Sequence, residues 1–116
     1  MWVNLAEEIV EKALMLMKKG GKLSGFQHSK KNDKMDAAGI DFLVFSNNGS
    51  RMDMQVKTYS NESHNKQKLK EHFRKHPDVK FVIFVKVDLY RHQPEKVLKY
   101  IQREVESFLK TVQSRQ

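Results

Sequence analysis

Apolar residues recur at helical spacing near the start of the chain, where Leu5, Ile9, Ala13 and Leu16, with Ala6, Val10 and Met17 beside them, share one side. Asn4 suits the cap of that segment and Gly20-Gly21 end it, so a helix is predicted. The pattern then changes. Residues 23–28 form a weak strand candidate, and residues 29–36 lack apolar periodicity and predict a loop. Two apolar runs follow, 40–45 and 52–56, separated by Ser46-Asn47-Asn48-Gly49-Ser50, residues that tolerate tight-turn backbone geometry. This predicts a β-hairpin. Alternation along its second strand puts Met52, Met54 and Val56 on one face and Asp53, Gln55 and Lys57 on the other.

After the hairpin, a polar segment from Glu62 to about Lys75 shows a narrow stripe of Leu69 and Phe73 and stops before Pro77, predicting a surface helix. Residues 79–87, VKFVIFVKV, are nearly continuously apolar, which predicts a strand buried on both faces and central in its sheet. Asp88 to Gln93 reads as a loop. Pro94 opens a last helix to about Val112, with Val97, Ile101, Val105, Phe108 and Val112 in one stripe widened by Leu98 and Leu109. That face is broad enough to cover a sheet and could contribute to a homodimer contact. The order is helix, weak strand, strand, strand, helix, strand, helix, an α/β arrangement.

A length of 116 residues fits a single domain spanning 1–116, with no room for a separate target-reading domain. Cysteine is absent, which excludes disulfides, thiolate metal sites and cysteine nucleophiles. No apolar run approaches the roughly 20 residues of a membrane helix, so no membrane association and an intracellular, cytoplasmic location are expected. The formal charge is +8, and its distribution is uneven: residues 1–56 carry eight Lys and Arg against seven Asp and Glu, the remainder fourteen against seven. An excess that begins at Lys57 points to a polyanionic partner.

The candidate chemistry lies at the hairpin. Asp41 stands at the start of the first strand, opposite the end of the second strand that carries Gln55 and Lys57, so an acid, an amide and an amine converge. Asp41 followed after a hairpin by Gln55-Val56-Lys57 resembles the signature of the PD-(D/E)XK nuclease superfamily, in the variant where Gln replaces the second acid. Gly39-Ile40-Asp41-Phe42 with Gln55-Val56-Lys57-Thr58 is especially similar to the catalytic domains of Mrr-type restriction enzymes and archaeal Holliday junction resolvases. The chain departs from the general pattern in having Gly39-Ile40 where a Pro precedes the first acid, and in Gln55. The resemblance implies a restriction endonuclease-like αβββαβ core, a mixed sheet flanked by helices, with one added C-terminal helix.

It also implies a Mg²⁺- or Mn²⁺-dependent DNA endonuclease acting on double-stranded or branched DNA, either structure-specific like a Holliday junction resolvase or Mrr-like in restriction. The catalytic set it implies is Glu7, Asp41, Gln55 and Lys57, with metal held by Asp41, the Gln55 side-chain oxygen, the Val56 carbonyl and Glu7 directly or through water. The superfamily's helix acid has apolar residues three and seven positions later, and Glu7 has Val10 and Leu14 there; Glu8 is the second choice, and acids favoured by the helix dipole are the plain reading of both. Asp36 is a loop acid ahead of the hairpin.

Basic residues suited to phosphate contact fall in two groups, Lys30, Lys31 and Lys34 on the loop with His28, and Lys66, Lys68, Lys70, Arg74 and Lys75 on the polar helix. The histidines of that helix, His64, His72 and His76, lack partners at metal-ligand spacing. Two other classes compete with the nuclease: a catalytically inactive nuclease-fold module that binds nucleic acid or a partner chain, and a small basic RNA-binding domain. The latter would expose aromatics on a sheet face for base stacking, whereas Phe42, Phe45, Phe81 and Phe84 are expected to be buried.

Overall fold

The structure, a computed structural model, describes residues 5–29, 39–58, 62–86 and 91–113, and the side chains of these except 62–66 and 113. Helix α1 (Leu5–Lys19) buries Ala6, Ile9, Val10, Ala13, Leu14 and Met17, following the predicted stripe except that Leu5 is only partly buried, Leu16 is exposed and Leu14 is added. Its end is fixed by glycine. Gly21 takes a positive φ of 74°, letting the Lys22 amide donate to Met17 O at 2.9 Å and the Gly21 amide to Lys18 O at 3.1 Å. These two bonds satisfy carbonyls that the helix end would otherwise leave unpaired.

Strands β1 (Gly25–His28), β2 (Phe42–Phe45), β3 (Arg51–Thr58) and β4 (Phe81–Val85) form one sheet in the order β1-β2-β3-β4. The first three pair antiparallel and β3 pairs β4 parallel, so the sheet is mixed. The β2–β3 connection folds on Ser46, whose Oγ accepts the Ser50 amide at 2.9 Å, while Gly49 supplies a φ of 88°. Helix α2 (Glu62–Lys75) links β3 to β4, and α3 (Pro94–Gln113) follows β4.

Helices α1 and α3 pack together over one sheet face. Their buried stripes join Phe42, Val44, Met52, Met54, Val56, Ile83 and Val85 in one core, and Phe81 rests against Phe108 with ring centroids 5.0 Å apart. The alternation predicted for β3 holds: Met52, Met54 and Val56 are buried, while Asp53, Gln55 and Lys57 are partly covered.

Three expectations are corrected. β4 is an edge strand among the described residues, not a central one, and its burial alternates toward the core instead of being complete on both faces. Among the described side chains of α2 the buried one is His72, at 1% exposure, whereas Phe73 of the expected stripe is 40% exposed. His72 is drawn inward by a hydrogen bond, its Nε2 donating to Val79 O at 2.6 Å, while the neighbouring Phe73 ring sits edge-on to it. Of the four phenylalanines, Phe42 is fully buried, but Phe45, Phe81 and Phe84 are only partly so.

Candidate active site

Asp41 is fastened at the entrance to β2 from both sides. Its amide donates to Met54 O at 2.9 Å, its carbonyl accepts the Ser29 amide at 2.9 Å, and its Oδ2 accepts the Val56 amide at 2.7 Å. The last bond ties a carboxylate to the backbone between Gln55 and Lys57, giving a charge-assisted contact across the strands. Gln55 and Lys57 point to the opposite face from Met54 and Val56, with Val82 and Phe84 of β4 as their register partners. Asp41 and Val56, 15 positions apart in sequence, are thereby brought together, with Gln55 and Lys57 on either side of Val56.

Gln55 Oε1 is buried and has no hydrogen-bond partner among the described residues. Burying an acceptor without a partner costs about 1–3 kcal/mol, so this atom is suited to a ligand that accepts its lone pair. A hard divalent cation meets that requirement: Asp41 provides carboxylate charge, and Gln55 Oε1 and the Val56 carbonyl are neutral oxygen donors. The donor set is all oxygen, which favours Mg²⁺ or Mn²⁺ over softer ions. Among the described residues, no group of three or more His, Cys, Asp or Glu side chains is placed to hold a metal, so any cation here relies on the amide and backbone oxygens.

Lys57 lines a cleft of about 290 Å³ together with Ala6, Val56, Thr58, Lys68 and Glu71. Burial draws its pKa below the ordinary lysine value; Asp41 and Glu71 oppose the shift, while the charges of Lys68 and Lys75 add to it. The ammonium therefore sits between a strand acid and a helix face. Lys68, Glu71 and Lys75 recur at i, i+3 and i+7, the spacing that puts them on one side of α2. Glu71 was absent from the sequence reading of the site, although its helical spacing with Lys68 and Lys75 is visible in the sequence.

Glu7 is held by His28, the residue before the Ser29 whose amide bonds Asp41 O. Its Oε1 meets His28 Nε2 at 2.9 Å, and Glu11 Oε2 meets His28 Nδ1 at 2.7 Å, so one imidazole bridges two acids a helical turn apart. The ring also stacks on Phe42, with centroids 4.3 Å apart. Glu8 is exposed. The sequence reading assigned His28 to a basic loop and missed this bridge, because its partners lie 21 and 17 residues away.

Burial pulls the His28 pKa down, but the hydrogen bonds and charges of Glu7 and Glu11 together outweigh it and raise it above 6.5. A protonated ring can donate to both glutamates. Because the folded value lies above the unfolded one, this stabilisation is complete below the unfolded pKa and is lost as pH rises through the folded pKa. Urea unfolding midpoints should accordingly fall across that window in the unaltered protein, and His28→Gln should lose that component of the fall. The same pH dependence in both proteins would show that the bridge does not titrate in this way.

Of the basic residues expected at DNA, Lys68 is partly buried in the cleft, whereas Lys70, Arg74 and Lys75 are exposed on α2. Lys66 lies within α2, but its side chain is outside the described residues, as are Lys30, Lys31, Lys34 and Asp36 entirely. No helix among the described residues is long and apolar enough to cross a membrane. Comparison with protein-family models, curated proteins and solved structures finds no match to this chain.

Proposed function

We propose that the chain is a Mg²⁺- or Mn²⁺-dependent DNA endonuclease with a restriction endonuclease-like fold, in the Gln-x-Lys variant resembling Mrr-type and Holliday junction resolvase catalytic domains. The observation that carries the reading is the Asp41 carboxylate bonded to the Val56 amide, flanked by the buried, unpartnered Gln55 Oε1 and by Lys57. The element order and mixed sheet are compatible with the αβββαβ core, and the basic face of α2 supplies charge for a phosphate backbone.

Phosphodiester hydrolysis needs a nucleophilic water, neutralisation of phosphate charge and stabilisation of the leaving oxygen. Asp41, Gln55 Oε1 and the Val56 carbonyl would hold the cation, which when bound supplies Lewis-acid polarisation of the phosphate and activation of water. Lys57 donates hydrogen bonds to the attacking water or to a phosphate oxygen, and stabilises charge as it grows on the phosphoryl group. Its partial burial strengthens those interactions by keeping bulk water from the ammonium. Asp41, besides offering charge, fixes the β3 backbone against β2, so the amide and amine keep their positions during turnover.

The engagement of Glu7 by His28 favours the second reading, a catalytically silent nucleic-acid-binding or partner-binding module, because it takes up one oxygen of the helix acid. Incubation with linear, nicked, flapped and four-way DNA separates the two. Cleavage of at least one substrate in Mg²⁺ or Mn²⁺, abolished by chelator, is expected of the nuclease. Binding without cleavage across both metals and all four substrates would establish the silent module.

A further inference from the structure

Lys68 differs from the other basic side chains described on α2. It is partly buried, and its Nζ donates to Thr58 O at 2.6 Å, whereas Lys70, Arg74 and Lys75 are exposed. Thr58 directly follows Lys57, so this bond holds the Lys68 ammonium on the wall of the cleft that Lys57 also lines. An ammonium has three N–H donors, and the Thr58 carbonyl takes one. The other two can serve a ligand without the tether being broken.

The cleft brings two ammonium groups together, with Asp41 and Glu71 as the acids that act on Lys57 against them. Lys57 and Lys68 share a space of about 290 Å³, with Glu71 as the acid of its lining. Lys75 adds further positive potential from the same face of α2, and the charges of both Lys68 and Lys75 act on Lys57. Like charges placed together in a partly desolvated cleft repel. A tetrahedral anion offers several acceptor oxygens to two ammonium groups, relieving that repulsion and satisfying their donors.

We propose that this cleft is a phosphate-binding subsite in which Lys68, positioned by the Thr58 carbonyl, grips the phosphate jointly with Lys57. This deepens the nuclease reading, on which rests the identification of that group as part of a DNA strand; capture of the anion itself requires no metal. Lys68 is thus distinguished in role from Lys70 and Arg74, whose exposed charges act on the backbone at longer range.

The test is a calorimetric titration in chelator with two probes, inorganic phosphate and a short DNA duplex, against the unaltered protein, Lys68→Gln, Lys68→Arg and Lys110→Gln. Lys110 is exposed in the last turn of α3, so Lys110→Gln makes the same change in net charge outside the cleft and outside the basic face of α2. Loss of one charge-assisted phosphate contact should weaken binding by about tenfold in Lys68→Gln, with Lys110→Gln within about threefold of the unaltered protein. Lys68→Arg, which can donate both to Thr58 O and to an anion, should restore most of the affinity, and Lys68→Gln should weaken binding while its thermal unfolding stays near that of the unaltered protein, which a purely structural tether would not allow.

Selective weakening with both probes supports a general phosphate site, and selective weakening with duplex alone assigns the site to the DNA strand. Equal losses in Lys68→Gln and Lys110→Gln, or no binding of either probe to the unaltered protein, would overturn the proposal. Because the titrations exclude metal, selective phosphate binding without Mg²⁺-dependent cleavage would reject the nuclease reading while leaving the subsite intact.

Discussion

Replacing Lys57 by Ala should lower turnover of metal-dependent DNA cleavage by about 10²–10⁴-fold, the scale of removing a positioned proton-transfer group or a transition-state donor. Affinity for DNA should change far less, because Lys68, Lys70, Arg74 and Lys75 remain on α2 to contact phosphates. Asp41→Asn should also abolish turnover, but for a separable reason. Asn retains a side-chain oxygen that can accept the Val56 amide, so the strand contact at 2.7 Å is preserved in kind while the carboxylate charge is removed. Thermal unfolding of Asp41→Asn should therefore stay close to that of the unaltered protein as its metal response disappears. Turnover that survives either substitution in a folded variant would place the chemistry elsewhere. Parallel losses of DNA binding and turnover in Lys57→Ala would instead make Lys57 a simple phosphate contact.

How much of this arrangement could be read from the sequence depends on whether the determining contacts are local. The stripes of α1 and α3 are legible because their periodicity follows from helix geometry alone, and the hairpin because Gly49 and its polar neighbours mark a turn. β4 shows the limit of such reasoning. A nearly continuous apolar run reports cover on two faces, not neighbours on two edges. Ile83 and Val85 are buried while Phe81, Val82 and Phe84 remain only partly so, and β4 can be apolar and still lie at the edge of the sheet among the described residues.

Polar residues were harder to place for the same reason. Nothing local announces that His72 will find Val79 O or that His28 will bridge Glu7 and Glu11, since burial of a polar ring depends on acceptors supplied by tertiary packing. The proximity of Asp41 and Lys57 was legible because a hairpin of known turn and alternation fixes which strand ends meet. The bond from Val56 to Asp41 and the unpartnered Gln55 oxygen required coordinates. Lys68, Glu71 and Lys75 lay between these cases: their shared helical face was readable, but the tether to Thr58 was not.

Gly39→Ala should be among the most destabilising single substitutions outside the core, because two independent costs meet at that position. Gly39 has a φ of 81°, where a residue bearing Cβ incurs about 1–3 kcal/mol of backbone strain. A Cβ there would also lie 2.5 Å from His76 Cγ and 2.6 Å from its Cδ2, contacts that require the ring or the chain to move. Such overpacking typically costs a further 1–3 kcal/mol or so, a large fraction of the roughly 5–15 kcal/mol that holds a domain folded. The two costs can be separated with His76→Ala, which removes the ring but leaves the backbone conformation. Urea unfolding should show Gly39→Ala to be markedly less costly in the His76→Ala background than in the unaltered protein, the remainder being the backbone contribution. Equal costs in the two backgrounds would show that the ring is not what excludes a side chain. Because Gly39 precedes Asp41 by two residues, displacement of this segment should also loosen the carboxylate from Val56, and cleavage should fall even where the domain remains folded. Gly39→Ala that retains both full stability and full cleavage would show that the close approach to His76 does not set the position of Asp41.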